Sequence, residues 1–139
     1  GDSSSNVCPP DSESLASHEA SAAVARYIAA LNARDTGAIR AAFNFPHLRI
    51  GAKGNLSRYE RPEDYDFANF YDATRRDGWH HTGCDAAESV FATEGKAHVA
   101  LHFTRYREDG SVIGRYFSLY VVTCQDNHWG IQVGSGNGT

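Results

Sequence analysis

Residues 24–43, VARYIAALNARDTGAIRAAF, decide the fold. Ala20, Val24, Tyr27, Ile28 and Leu31 recur at the i, i+4, i+7 spacing of a helix with one apolar face. Arg26, Asn32 and Arg34 fall away from that stripe. Asp35-Thr36-Gly37 breaks the pattern, and Asp35 or Thr36 caps a second, shorter helix that buries Ile39, Ala42 and Phe43. Two such helices need an apolar partner surface, and the segment after Gly78 supplies one.

Upstream, residues 1–14 are rich in Ser, Asp and Pro and nearly free of apolar side chains, so they read as a disordered leader or tag remnant. The first helix is then expected to start at Ser14 or Ser17. Downstream, Phe45-Pro46 is expected to stop the second helix, because the residue before proline avoids the helical region. HLRI (47–50) alternates like a short strand, Gly51 and Gly54 bracket a turn, and NLSRY (55–59) returns as a second strand. Pro62 suits a first helical turn. Phe67, Phe70, Tyr71 and Thr74 form the stripe of a third helix that Gly78 ends.

Glu94-Gly95, Asp109-Gly110 and Asp126-Asn127 are hairpin signals dividing the remainder into strands at 79–92, 97–107, 112–124 and 128–134. Helices first and an antiparallel meander afterwards make the class α+β. One domain over 15–134, with a frayed tail at 135–139, accounts for the chain.

Two-residue turns also fix a register. Val90 should face Val99, Val99 should face Tyr120, and Tyr120 should face Val133. The helix-facing side then carries His80, Cys84, Ala86, Leu101, Phe103, Tyr116, Ser118, Val122, Trp129 and Ile131 with these residues. The other side carries Trp79, His81, Asp85, His98, His102 and Thr104, together with an apolar strip of Phe117, Leu119 and Val121. Such a strip on an outer sheet face is expected to be a homodimer contact.

Composition narrows the function. A net charge of −4 with no dense basic face argues against nucleic acid. No run approaches the roughly 18 apolar residues of a membrane span, and the polar start lacks a signal-peptide pattern. A cytoplasmic location is the expectation. Cys8, Cys84 and Cys124 are too few and scattered for a disulfide framework or zinc knuckle, and Cys84 and Cys124 read as small core residues. His98 and His102 share a face but sit about 13 Å apart along a strand, too far for one zinc with bonds of about 2.1 Å. His80 and His81 should point to opposite faces. Neither a metal nor a cofactor is expected.

With these elements in order, VARYIAALNARDTGAIRAAF is similar to the opening helices of the nuclear transport factor 2-like superfamily, especially its ketosteroid-isomerase and SnoaL-type polyketide-cyclase members. RYREDGSVIG followed by SLYVVTCQDNHWGIQ resembles that family's last two long strands. FNFPHLRI, GWHHTG and FTRYREDGSVIG resemble an uncharacterised bacterial subgroup. The resemblance covers residues 17–134. It implies three helices packed in a strongly curved antiparallel sheet, a cystatin-like cone with a pocket at one end, in a protein that usually dimerises.

The resemblance also implies chemistry, residue by residue. Tyr27 matches the ketosteroid-isomerase tyrosine that donates a hydrogen bond to a developing enolate. The matching position for the carboxylate base falls at Gly51, beside Arg49 and Ile50, and that for the second acid falls at Ser118 to Tyr120. Neither carries a carboxylate, so the two-aspartate mechanism does not transfer. Dehydratase relatives use tyrosines and histidines, for which Tyr27, Tyr116, Tyr120, His80 and His47 are the counterparts here. Epoxide-hydrolysing relatives need Asp-Arg-Asp; Arg105 is expected near the pocket rim, with Asp85 on the opposite face.

The expected catalytic candidates are therefore Tyr27, His80 and Tyr116. The expected ligand contacts are His47, Arg49, Phe67, Phe70, Phe103, Ser118, Tyr120 and Trp129. The implied ligand is small and apolar or polyketide-like. The implied activity is a cofactor-independent isomerase, dehydratase or cyclase, with a non-catalytic binding or dimerisation module as the alternative.

Overall fold

The computed structural model describes the backbone of residues 10–138 and the side chains of residues 15–138. Helix α1 (Pro10–Asn32) begins before the expected Ser14 or Ser17. The leader expected over 1–14 thus lies largely outside the described residues. Ala16, Ala20, Ala23, Val24, Tyr27, Ile28, Ala30 and Leu31 are all buried. Four of these are alanines, which let the helix axis come close to the sheet while the larger residues reach past it.

Arg34 adopts a left-handed φ of 56° to turn the chain, and Asp35 Oδ1 accepts from the Ala38 amide to cap α2 (Thr36–Ala41). Helix α2 does not run on to Phe45-Pro46. Strand β1 (Phe43–Ile50) starts directly behind it and contains that dipeptide, with a cis bond. Proline has no amide to donate, so it sits where the β1 ladder shifts register between Phe43 and Leu48. Gln132 Nε2 donates to the Pro46 carbonyl across the gap.

Strand β2 (Leu56–Tyr59) pairs antiparallel with β1. A 3-10 turn at Pro62–Asp64 leads to α3 (Phe67–Thr74), opened by a capping box between Asp66 and Asn69. Gly78, at φ 84°, closes the turn after α3. The meander follows as β3 (His81–Ala92), β4 (Lys96–Tyr106), β5 (Val112–Gln125) and β6 (His128–Gly136). The sheet order is β2-β1-β6-β5-β4-β3, with β1 and β6 the one parallel pair among the described strands. Three helices therefore pack in a curved, six-stranded, mostly antiparallel sheet, as the sequence leads one to expect.

Register holds at the centre and slips at the edges. Val99 faces Tyr120, but Ser89 rather than Val90 faces Val99, and Tyr120 faces Gly134 rather than Val133. Bulges cause both shifts, at Val90 between Ser89 and Phe91 in β3 and at Gln132 in β6, opposite the step from Val121 to Val122 in β5. Val90 is consequently turned outward and 55% exposed. A further bulge between Cys84 and Ala86 accompanies an exposed Cys84, and Cys124 is half-buried, so neither is the core residue expected.

The start of β3 carries another correction. Trp79 and His80 precede the strand and escape its alternation. Trp79 is buried against Phe70 and Phe67, with Nε1 donating to Thr82 Oγ1. His80 is exposed, and its ring does not point away from His81; their Nδ1 atoms lie 3.0 Å apart. Thr104, assigned to the outer face, is buried and donates to Asp85 Oδ2 at 2.6 Å. No helix among the described residues is long and apolar enough to cross a membrane.

Candidate functional site

A cavity of about 220 Å³ opens where the sheet curves away from α1. Its walls come from two of the helices and all six strands: Tyr27, Ile28 and Leu31 from α1, Arg49 from β1, Ser57 and Tyr59 from β2, and Tyr65 after the 3-10 turn. Asn69 and Phe70 of α3, Thr82 of β3, Phe103 and Arg105 of β4, and Ser118 and Tyr120 of β5 complete it, with Gly134 to Gly136 of β6 along one side.

Arg49 stands at the centre of the polar wall. Its Cα lies opposite Gly134 on β6 and Ser57 on β2. A Cβ at Gly134 would lie 3.2 Å from the Tyr120 ring and 3.4 Å from Arg49 Cδ, so the missing side chain makes room for both. The guanidinium sits over the rings of Tyr27, Phe43 and Tyr120 at 5.1, 5.4 and 5.9 Å. Those rings favour a cation over their faces.

His47 positions that cation from behind. It is fully buried and stacked on Phe43 at 3.8 Å. Burial and then the Arg49 charge push its pKa down to about 3, despite its bond to the Ile131 carbonyl. The neutral ring has one tautomer that satisfies both neighbours: Nδ1–H donates to the Ile131 carbonyl at 2.9 Å, and Nε2 accepts from Arg49 Nε at 3.0 Å.

Burial acts to lower the Arg49 pKa, Tyr27, Tyr120 and Tyr65 act to raise it, and it is raised; the neutral phenols supply no formal charge to balance the guanidinium at neutral pH. Burial, reinforced by Tyr27 and opposed by Arg49, pushes the Tyr120 phenol up to about 12. Burial likewise raises Tyr65. Both phenols are therefore protonated at neutral pH and able to donate.

Arg105 forms a second cationic wall. It is buried, lies over the rings of Tyr116, Phe70 and Phe103 at 4.8, 5.2 and 5.5 Å, and donates from Nη1 to the Gly138 carbonyl. Burial lowers its pKa, Tyr27, Tyr116 and Tyr120 counter this, and Arg49 adds to the lowering. Among the described residues neither arginine has a carboxylate partner, and Arg49 Nη2 and Arg105 Nε are buried with no hydrogen bond. Among the described residues no aspartate or glutamate lines the cavity.

The structure gathers Tyr27, Arg49, Phe70, Phe103, Ser118 and Tyr120 around this cavity. It leaves His80 on the surface, where its carbonyl accepts from Arg34. Tyr116 sits beneath Arg105 and beside Phe103 rather than on the cavity wall, and His47 lies behind Arg49. Phe67 packs with Tyr71 and Trp79 under the Arg34 guanidinium. Trp129 is half-buried at the other end of the cone, its carbonyl accepting from Arg26.

Sequence reasoning missed Tyr59 and Tyr65, whose rings meet edge to face with centroids 5.0 Å apart. Their signal was a pair of aromatics flanking Pro62, which folds the chain back so that both face inward. Among the described residues no group of three or more His, Cys, Asp or Glu side chains is placed to hold a metal ion.

Residues 18–137 match a family described as NTF2-like protein (DUF6841). The chain belongs to this NTF2-like family. None of the curated proteins matches it. Solved structures place the NTF2-like chain among cystatin-like folds. A Nostoc punctiforme protein of unknown function with a cystatin-like fold superposes with a TM-score of 0.70 at 18% identity, covering 86% of this chain and 88% of that one. A ketosteroid isomerase-like protein from Erwinia carotovora gives 0.65 at 17% identity, over 86% and 93%. An NTF2-like protein from Novosphingobium aromaticivorans gives 0.68 at 12% identity, over 86% and 79%. At these identities the likeness is one of fold. The cavity of the NTF2-like chain has to be interpreted from its own residues.

Proposed function

We propose that this NTF2-like protein is a small-molecule-binding protein and that the cone cavity reaching Tyr27 is its binding site. The observation that carries this is the composition of the wall. One side is apolar (Ile28, Leu31, Phe70, Phe103) and the other offers converging donors (Tyr27, Arg49, Ser118, Tyr120). About 220 Å³ falls below the roughly 300–1,000 Å³ of pockets that enclose drug-sized molecules. The ligand is therefore about one ring in size, smaller than a steroid or an extended polyketide.

A second reading, a cofactor-independent isomerase, dehydratase or cyclase, is favoured by Tyr27 and Tyr120, whose rings are 6.0 Å apart beside Arg49. Donors in that arrangement stabilise an oxyanion. Proton abstraction also needs a base within reach, and among the described residues no carboxylate or histidine lines the wall. Binding is thus the reading the geometry supports best. A homodimer through the outer sheet face belongs to the same reading, with Phe117 39% exposed beside the half-buried Leu119 and Val121; sedimentation of Phe117→Lys as a monomer would support it.

Native mass spectrometry of the purified protein, together with melting curves against a panel of single-ring compounds, tests the binding reading. Ala73→Trp, at an exposed α3 position on the cavity wall, is the control that blocks the mouth. Adducts or melting shifts seen in the wild type and absent from Ala73→Trp are expected. Identical behaviour of the two proteins across the panel would overturn it.

A further inference from the structure

We propose that the ligand is a small organic acid, one ring carrying a carboxylate, with Arg49 and Arg105 as its charge partners. This rests on the cavity being a binding site and goes on to specify what it binds.

Charge balance is the first argument. Two guanidinium groups face one small cavity, and among the described residues its lining contains no acidic side chain. Buried cations in folded proteins are paired, because an uncompensated charge away from water costs several kcal/mol. Aromatic faces and single acceptors (His47 for Arg49, the Gly138 carbonyl for Arg105) satisfy each group only in part. Each keeps one fully buried nitrogen with no partner among the described residues. An anion entering the cavity neutralises part of the charge that the chain leaves uncompensated.

The second argument is the form of the neutral groups around the arginines. His47 supplies its lone pair to Arg49 Nε, which fixes the guanidinium plane from the side away from the cavity and leaves the terminal nitrogens unclaimed by it. The Tyr27 hydroxyl, the protonated Tyr120 phenol and the Ser118 hydroxyl add donors on the same wall. A wall of donors without an acidic acceptor selects an acceptor-only ligand, and an ionised carboxylate is such a group. Arginine suits it through paired, charge-assisted hydrogen bonds.

Size and polarity choose among anions. Half of the wall is apolar, formed by Ile28, Leu31, Phe70 and Phe103. A free inorganic anion would leave that half unused, and a phosphate dianion costs more to desolvate than a carboxylate. A cavity of about 220 Å³ holds one ring with its carboxylate.

The test compares matched shapes in the unmodified protein. Calorimetric affinities are measured for benzoate against benzamide, and for cyclohexanecarboxylate against its primary amide, with phenyl phosphate as a third arm. Each acid is expected to bind at least about tenfold more tightly than its amide, a gap of about 1.4 kcal/mol. Arg49→Gln and Arg105→Gln are expected to weaken the acid more than the amide and so bring the acid-to-amide affinity ratio to within about twofold. Because the first comparison needs no variant, a substitution that impairs folding does not remove the test. Amides binding as tightly as acids would overturn the carboxylate assignment while leaving the cavity a binding site. Phenyl phosphate binding more tightly than benzoate would overturn it in favour of a phosphate ligand. No probe distinguishing the wild type from Ala73→Trp would overturn the binding reading itself.

Discussion

Replacing Arg49 by methionine should make the empty protein more stable. Arg49 is half-buried with its Nη2 atom fully buried, and no carboxylate balances it among the described residues. Removing the charge relieves a desolvation penalty of several kcal/mol. It forfeits the hydrogen bond to His47, about 1.5–3 kcal/mol for a charged donor, and contacts with three rings worth about 1–2 kcal/mol together. The methionine side chain fills most of the same volume and returns about 1.5–3 kcal/mol through apolar burial. These losses exceed the packing gain by about 1.5 kcal/mol, so relieving a penalty of about 3.5 kcal/mol leaves a net stabilisation of about 2 kcal/mol. For a chain of this length that raises the melting temperature by roughly 6–8 °C. Urea denaturation at an unchanged m-value, checked by calorimetry, is the assay. If Arg49→Met instead loses more than about 1 kcal/mol, the guanidinium is fully satisfied without a ligand and the charge argument for an acid ligand falls.

Three further outcomes follow from the geometry. His47 is held neutral with a pKa near 3, below the ordinary value of 6.5, so the unfolded chain binds the proton that the folded chain refuses. Its contribution is intact above about pH 6.5 and is lost as pH falls toward 3, at roughly 1.4 kcal/mol per pH unit; denaturant midpoints should show this slope flattened in His47→Gln. Asn32 bridges the backbone of Thr82 twice, accepting from its amide at 2.7 Å and donating to its carbonyl at 2.8 Å. Asn32→Leu should cost about 2–3 kcal/mol and speed hydrogen exchange at the Thr82 amide; unaltered exchange there would show that the bridge is not holding the strand. A Cβ at Gly130 would lie 2.6 Å from the Phe43 backbone, where β6 meets β1. Gly130→Ala should therefore destabilise by about 1–3 kcal/mol despite being the smallest of changes, and a chemical melt that matches the wild type would refute the close approach.

What the sequence made legible was local. The apolar face of α1 and the three hairpin turns rest on periodicity and turn chemistry, which neighbours in the chain determine. Val90 and Cys84 could not be placed because a bulge inserts one residue without a sequence marker and reverses every side chain beyond it. Trp79 was lost for a related reason: it precedes the strand, so alternation did not apply to it. The cavity was half legible. Tyr27, Ser118 and Tyr120 follow from the helix face and the central register, whereas the joint role of Arg49 and Arg105 depends on distant strands and on the lack of acids between them. An arginine in a strand pattern reads as a solvated side chain until its neighbours are known.

The parallel pairing of β1 with β6 has a kinetic consequence. The meander β3 to β6 is built from hairpins and forms through contacts close in sequence. Strand β1 is positioned by Phe43 opposite Ile131 and Arg49 opposite Gly134, across about two thirds of the described chain. Loop closure on that scale is slow compared with hairpin formation. The arginine that marks the cavity is therefore seated in the last stage of folding, and a partly folded chain presents a sheet with no competent site. Ligand capture during refolding would report completion of the fold, lagging behind any signal from the meander.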